Sequence, residues 1–251
     1  MESIDVFCVF PEAVEATLRV GVVGRALERG VVSLRTFDLK EFSPGGRVDD
    51  APFGGGAGMV IRVDVVARAF EEVYGVSAQK VREGRRVVVT EPAGRRVEQG
   101  YIREIVAGFE EDEGLTVVCG RYAGMDERVR KVLATEAVSL GDFVLSGGEI
   151  VAAALSDAVI RLLRGVLGNA ESLVEESFSR EGVIGSPQYT RPAVWDGEAV
   201  PAVLLSGDHA KIRAWRERQP HGRAGAGTEA RRGQRFAPDF PDTTPERRKD
   251  K

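Results

Sequence analysis

The segment Gly141-Asp142-Phe143-Val144-Leu145-Ser146-Gly147-Gly148-Glu149 runs directly into an apolar, helix-patterned stretch, residues 150–164. Glycine admits positive φ and lets backbone approach another chain or a small molecule closely. The segment therefore reads equally as a tight turn from strand to helix or as a loop folded around a ligand. In the second case Phe143, Val144 and Leu145 wall an apolar slot while main-chain groups read polar edges.

Working upstream, the same strand–glycine–helix pattern recurs. Residues 87–90 (VVVT) end in Glu91-Pro92-Ala93-Gly94 before a helical pattern over 97–106. Residues 115–119 (LTVVC) end in Gly120-Arg121-Tyr122-Ala123-Gly124 before a predicted helix over 126–133, with Asp126 as its N-cap. Nearer the start, strand 4–10 meets Pro11, which opens a helix over 12–29 broken near Gly21 and Gly24. A strand over 31–38, a glycine-rich loop over 42–58 and a helix over 63–74 follow. Short apolar strands alternating with helices predict an α/β fold with a mostly parallel sheet. Ligands of such sheets sit at the carboxyl ends of strands, so the three glycine-bearing loops are expected to converge on one site.

Downstream the texture changes. Residues 165–185 are polar and acidic and read as a linker; residues 186–201 are broken by prolines and exclude a long helix. Residues 201–205 are expected to be extended, and residues 209–218 to form a basic helix carrying Trp215. Past Gln219, Gly, Arg and Pro dominate without hydrophobic period, which predicts a disordered basic tail over 220–251. The partition is thus 1–164, a 165–185 linker, 186–219 and the tail.

A hydrophobic share of 43% with 29% charged residues fits a globular chain long enough to bury a core. No apolar run reaches bilayer length, and the opening MESIDVFCVFPEAVE has no basic leader, so a cytoplasmic protein without membrane contact is expected. The two cysteines, Cys8 and Cys119, lie in apolar strands and read as buried free thiols. The net charge of −4 divides into +5 from Gly207 onward and −9 before it, a basic end compatible with a polyanion. Neither G-x-G-x-x-G after a strand nor a P-loop occurs, two separated histidines give no zinc cluster, and Gly-x-Ser-x-Gly is missing. Dehydrogenase, NTPase, zinc-site and hydrolase readings are disfavoured accordingly.

Taken in order, VDDAPFGGGAGMV (48–60), EPAGRRV (91–97), CGRYAGMDERV (119–129), SLGDFVLSGGE (139–149), GVLGNAESLVEESF (165–178), YTRPAVWDG (189–197) and VPAVLLSGDHAKIRAWR (200–216) resemble the bacterial tRNA (guanine-N1)-methyltransferases, the TrmD family. The match spans roughly residues 1–219. The resemblance implies a SPOUT-class enzyme: a parallel α/β sheet with a C-terminal trefoil knot, a small mostly helical C-terminal domain, and a homodimer. It also implies transfer of a methyl group from S-adenosylmethionine to N1 of guanine at tRNA position 37, with Mg2+ as accessory ion and no protein-caged metal.

Carried over by motif, the cofactor loops supply Pro92 and Gly94, Gly120 and Tyr122, and Leu140, Gly141, Asp142, Phe143, Val144, Leu145, Gly147 and Gly148. Guanine N1 carries a proton at neutral pH, so the reaction needs a base for it and a cation for the charge left on O6. The resemblance assigns the base to Glu176, where the family has Asp, and the cation to Arg161. For the anticodon stem-loop it implies Tyr189, Arg191, His209, Lys211, Arg213, Trp215 and Arg216, which combine charge with aromatic faces. Departures from the family pattern are Ala123 in place of Glu, GGGAG in place of GGGPG, and the tail. Two alternatives follow: a SPOUT RNA methyltransferase with another target, disfavoured by the ordered motifs from 189 to 216, and an RNA- or cofactor-binding homologue without catalysis, suggested by Ala123 and Glu176.

Overall fold

The computed structural model describes residues 2–110, 114–167, 176–179 and 183–218. The tail over 220–251 and most of the linker fall outside the described residues. The chain divides into two compact units, Met1–Val174 and Glu175–Lys251.

The first unit is built on β1 (Ser3–Cys8), β2 (Ser33–Asp38), β5 (Arg85–Arg96), β6 (Gly114–Cys119) and β7 (Glu136–Ser139). They form one sheet in the order β2-β1-β6-β5-β7, with every pair parallel. Side chains alternate between two covered faces, which is why the strands read as nearly continuous apolar runs. On one face Ile4, Val6, Cys8, Val88, Leu115 and Val117 pack under helices α1 (Pro11–Leu18), α2 (Gly21–Glu28), α5 (Gln99–Glu110) and α6 (Glu149–Ile160). On the other, Phe7, Val87, Val89 and Val118 pack under α3 (Val63–Tyr74) and α4 (Ala78–Gly84). Cys8 and Cys119 are buried free thiols.

Several sequence expectations need correction. Residues 12–29 hold two helices that separate at Arg19–Val20, beside Gly21 as expected, with Gly21 at φ 64° opening the second; only the expected break near Gly24 is absent. Gly24 lies inside α2, where a Cβ would come within 2.5 Å of the Arg19 carbonyl. A 3-10 turn (Leu39–Phe42) leads into the loop over 42–58, which holds a second (Pro44–Gly46) and β3 (Asp49–Asp50), paired antiparallel with β4 (Val60–Ile61). Helix α4 was not expected from periodicity. In place of the helix expected over 126–133, Val129–Leu133 is a short π-helix whose N-cap is Arg128; Asp126 accepts from the Arg128 N–H at 2.9 Å just ahead of it. β5 does not stop at Thr90. Its register shifts there, and Arg95 and Arg96 pair with Val138 and Ser139 of β7, so the Glu91–Gly94 loop is a bulge within a paired strand.

In the second unit β8 (Val194–Trp195) and β9 (Glu198–Ala199) form a hairpin, followed by α7 (Ala202–Leu205) and α8 (His209–Glu217). The hairpin turns through Asp196 and Gly197, both at positive φ (49° and 82°), the twist two-residue hairpins favour. Residues 202–205 are helical rather than extended. None of this unit's described residues is fully buried.

Candidate cofactor site

Where the glycine-bearing loops leave β5, β6 and β7 they meet around a cleft of about 270 Å3. Its walls include Thr90, Glu91 and Pro92 from the first loop, residues 120–124 from the second, and residues 138–141 and 143–148 from the third. The convergence follows from topology, because β6, β5 and β7 are parallel neighbours whose carboxyl ends share one edge.

Close backbone crossings hold the loops together. The Gly148 N–H donates to the Gly120 carbonyl at 2.7 Å, and the Gly120 N–H donates to Thr90 Oγ1 at 2.9 Å. A Cβ on Gly148 would stand 1.9 Å from that same hydroxyl oxygen, and one on Gly94 would stand 2.3 Å from the Val138 nitrogen. These two glycines are needed for approach between chains, since neither is among the positive-φ residues. The Val97 N–H then donates to the Ser139 carbonyl at 2.9 Å, tying the β5–α5 connection across the end of β7.

Beneath the third loop lies a buried ion pair. Glu149, only 2% exposed, receives Arg121 Nε at 3.1 Å, and Arg121 also donates through a terminal nitrogen to the Ser146 carbonyl at 3.1 Å. The guanidinium lies 4.5 Å from the Phe10 ring centroid. A side chain at Gly147 would collide with both partners of the pair. Arg121 thus joins the β6 loop to the third loop and to the N-terminus of α6.

Of the cofactor residues expected by motif, all but Gly94 and Asp142 line the cleft. Gly94 packs on Val138 instead, and the Asp142 side chain is 95% exposed and paired with Arg96 at 3.0 Å. Thr90, Glu91, Arg121, Ser139, Ser146 and Val151 line it without having been singled out, and Glu149 supports it from below. No local signal marked Thr90 or Glu149, because their roles arise from contacts between distant segments. Phe143 and Val144 leave apolar surface exposed at the rim, and Tyr122 is held at positive φ (60°) beside them.

Arg161 follows directly on α6, its N–H donating to the Asp157 carbonyl at 3.0 Å, and does not line the cleft. Glu176 belongs to the second unit, where its carbonyl accepts from the Ser179 N–H at 3.2 Å. Tyr189 meets Trp215 edge-on at 6.2 Å, so Trp215 is half-buried against its own unit. His209, Lys211, Arg213 and Arg216 project from α8, whose cap is Asp208 accepting from the Lys211 N–H at 3.1 Å. Arg191 is exposed ahead of the hairpin. Trp195 at the hairpin was not singled out and is 74% exposed. Among the described residues no helix is long and apolar enough to cross a membrane, and no group of His, Cys, Asp and Glu is placed to hold a metal ion.

The fold is thus a parallel α/β sheet with one cleft formed where three loops meet at the carboxyl ends of neighbouring strands. The sequence pattern of the family described as tRNA (Guanine-1)-methyltransferase TrmD matches residues 2–233, past the point at 219 where individual motifs stop. A tRNA (guanine-N(1)-)-methyltransferase of Cereibacter sphaeroides (strain KD131 / KCTC 12085) is 51% identical over 209 residues, 82% of each chain. Proteins of the same description from Limosilactobacillus fermentum and Persephonella marina are 43% and 40% identical, covering 86% and 84% of this chain and 84% and 80% of their own. The chain belongs to the TrmD family.

Proposed function

We propose that this protein transfers a methyl group from S-adenosylmethionine to N1 of guanine at position 37 of tRNA. The observation that carries this reading is the single cleft made by the three post-strand loops in a chain of this family. The cleft suits the cofactor chemically. Main-chain groups and Ser/Thr hydroxyls are placed for an uncharged nucleoside, apolar side chains of the third loop for its flat face, and one carboxylate for a cationic end.

Bound there, the cofactor supplies an electrophilic methyl group, and in-line displacement makes positioning the main task of the protein. In our reading Glu176 takes the N1 proton of guanine and Arg161 steadies the charge that develops on O6. The Arg121–Glu149 pair and the Gly148–Gly120 crossing keep the loops from parting while this happens. Mg2+ enters as an accessory ion. The cleft offers it a single carboxylate among the described residues, so it would keep most of its waters.

We further read the chain as a cytoplasmic homodimer with a knotted cofactor domain (1–164), a linker (165–185), an RNA-binding domain (186–219) and a basic tail (220–251). The exposed Tyr122, Phe143 and Val144 support a second surface closing on the cleft, and the lack of fully buried residues in the described second unit supports docking on RNA or protein. Tyr189, Arg191, His209, Lys211, Arg213, Trp215 and Arg216 are the proposed contacts to the anticodon stem-loop.

The test is methyl transfer from labelled cofactor to a tRNA transcript. Adenine in place of the target guanine should abolish incorporation, and continued methylation at an unchanged rate would refute the N1-guanine assignment. Glu176→Gln should lower turnover by roughly 10²–10⁴-fold with little change in cofactor affinity, the usual contribution of a positioned base.

A further inference from the structure

Among the described residues that line the cleft, the ionisable side chains are Glu91, Arg121 and Tyr122. The positive charge of Arg121 is met by Glu149, which lies behind the wall and does not line the cleft itself. Glu91 is therefore the cleft's only carboxylate among these residues.

Its own balance is incomplete. Glu91 Oε1 is buried and accepts no hydrogen bond. Arg130 Nε stands 3.5 Å from that oxygen, close enough for an ion pair but poorly directed, and the same guanidinium hydrogen-bonds Glu127 with Nε at 3.1 Å. Arg130 is shared between two acids and so meets the Glu91 charge only in part. Burial pushes the Glu91 carboxyl above its ordinary range, with Arg130 opposing and Glu127 adding to the rise. Oε1 itself is closed to solvent while the side chain as a whole stays 23% exposed, so what a ligand in the cleft can meet is the charge through the rest of the carboxylate, and a partly desolvated carboxylate is stabilised by an adjacent cation.

We propose that Glu91 is the counter-charge for the cationic end of the ligand, meeting the ammonium or the sulfonium of S-adenosylmethionine. The assignment rests on the cofactor reading above and names a specificity-determining residue within it. Glu91 lies in the β5 bulge, where the register shift after Thr90 takes the residue out of the paired strand and into the cleft wall. A carboxylate there favours the doubly cationic cofactor over any neutral adenine nucleoside.

Calorimetric titration of the full chain, in the presence of EDTA, decides the matter with three probes: S-adenosylmethionine, S-adenosylhomocysteine and 5′-methylthioadenosine, which carries neither cation. Glu91→Gln should weaken S-adenosylmethionine about tenfold, the size of one charge-assisted hydrogen bond. Glu91→Asp, which keeps the charge, should recover most of that loss, and 5′-methylthioadenosine should bind both variants as it binds the parent. If S-adenosylhomocysteine weakens in parallel, the partner is the ammonium; if it does not, the partner is the sulfonium. Both results support the proposal. Unchanged affinity in Glu91→Gln overturns it, as does equal weakening of 5′-methylthioadenosine or a loss that appears only when Mg2+ replaces EDTA. A parent protein that binds no S-adenosylmethionine overturns the cofactor reading itself.

Discussion

Replacing Glu149 by Gln removes one charge from the pair that clasps the third loop, at almost constant volume. Breaking a buried ion pair by neutralising one partner costs about 3–5 kcal/mol, because the other charge is left uncompensated. Arg121 is 23% exposed, so water screens part of that loss and the expected cost is about 2–3 kcal/mol. For a unit of this size each kcal/mol lowers Tm by about 2–4 °C, so the melt should fall by about 4–12 °C. A double-mutant cycle with Arg121→Met separates the pair from general damage. The two changes should be less than additive, with a coupling of about 1–3 kcal/mol. Hydrogen exchange adds a spatial check, since amides over 141–148 should exchange faster while those of β1 and β6 do not. A variant melting within 1 °C of the parent, or strict additivity in the cycle, would refute the clasp.

Gly148→Ala should depress both stability and S-adenosylmethionine affinity, since its Cβ would fall 1.9 Å from Thr90 Oγ1; thermal melts and calorimetry read the two effects, and Thr90→Ala in the same chain should recover part of the stability. Asp5→Asn should cost about 3–5 kcal/mol in urea unfolding, because the fully buried carboxylate holds Arg35 at 2.8 Å, Arg85 at 3.0 Å and the Tyr74 hydroxyl at 2.9 Å; cofactor affinity should stay unchanged, as Asp5 does not line the cleft. The folded chain holds its proton on Glu91 to higher pH than the unfolded chain does, so this residue's contribution to stability falls as pH rises from about 4.5 through its raised folded value. Urea midpoints measured across that window should show the decline in the parent and a flatter profile in Glu91→Gln.

Much of this protein was legible before folding. The runs VVVT and LTVVC identify doubly covered parallel strands, because a strand buried on both faces has no polar side to show, and the glycines after them mark the cleft. Motif order assigned the family. What the sequence did not carry is where separate segments touch. The bulge that extends β5 past Thr90 depends on β7 pairing with it on both sides of the register shift, which no local pattern encodes. The break expected near Gly21 was legible, since Gly21 opens the second helix at φ 64°, but the place of Gly24 inside that helix, close against the Arg19 carbonyl, was not. Glu149 and Arg121 are ordinary charged residues in their own windows and become partners only when the third loop crosses the second. Glu91 is likewise an ordinary acid in its own window, and its charge counts in the cleft because Arg121 is neutralised by Glu149. Residue types and spacing determined the strands, the loops and the chemistry on offer. Charge balance and close backbone approach, which exist only between segments brought together, decided which of those residues make the cleft and which, like Asp142, face solvent.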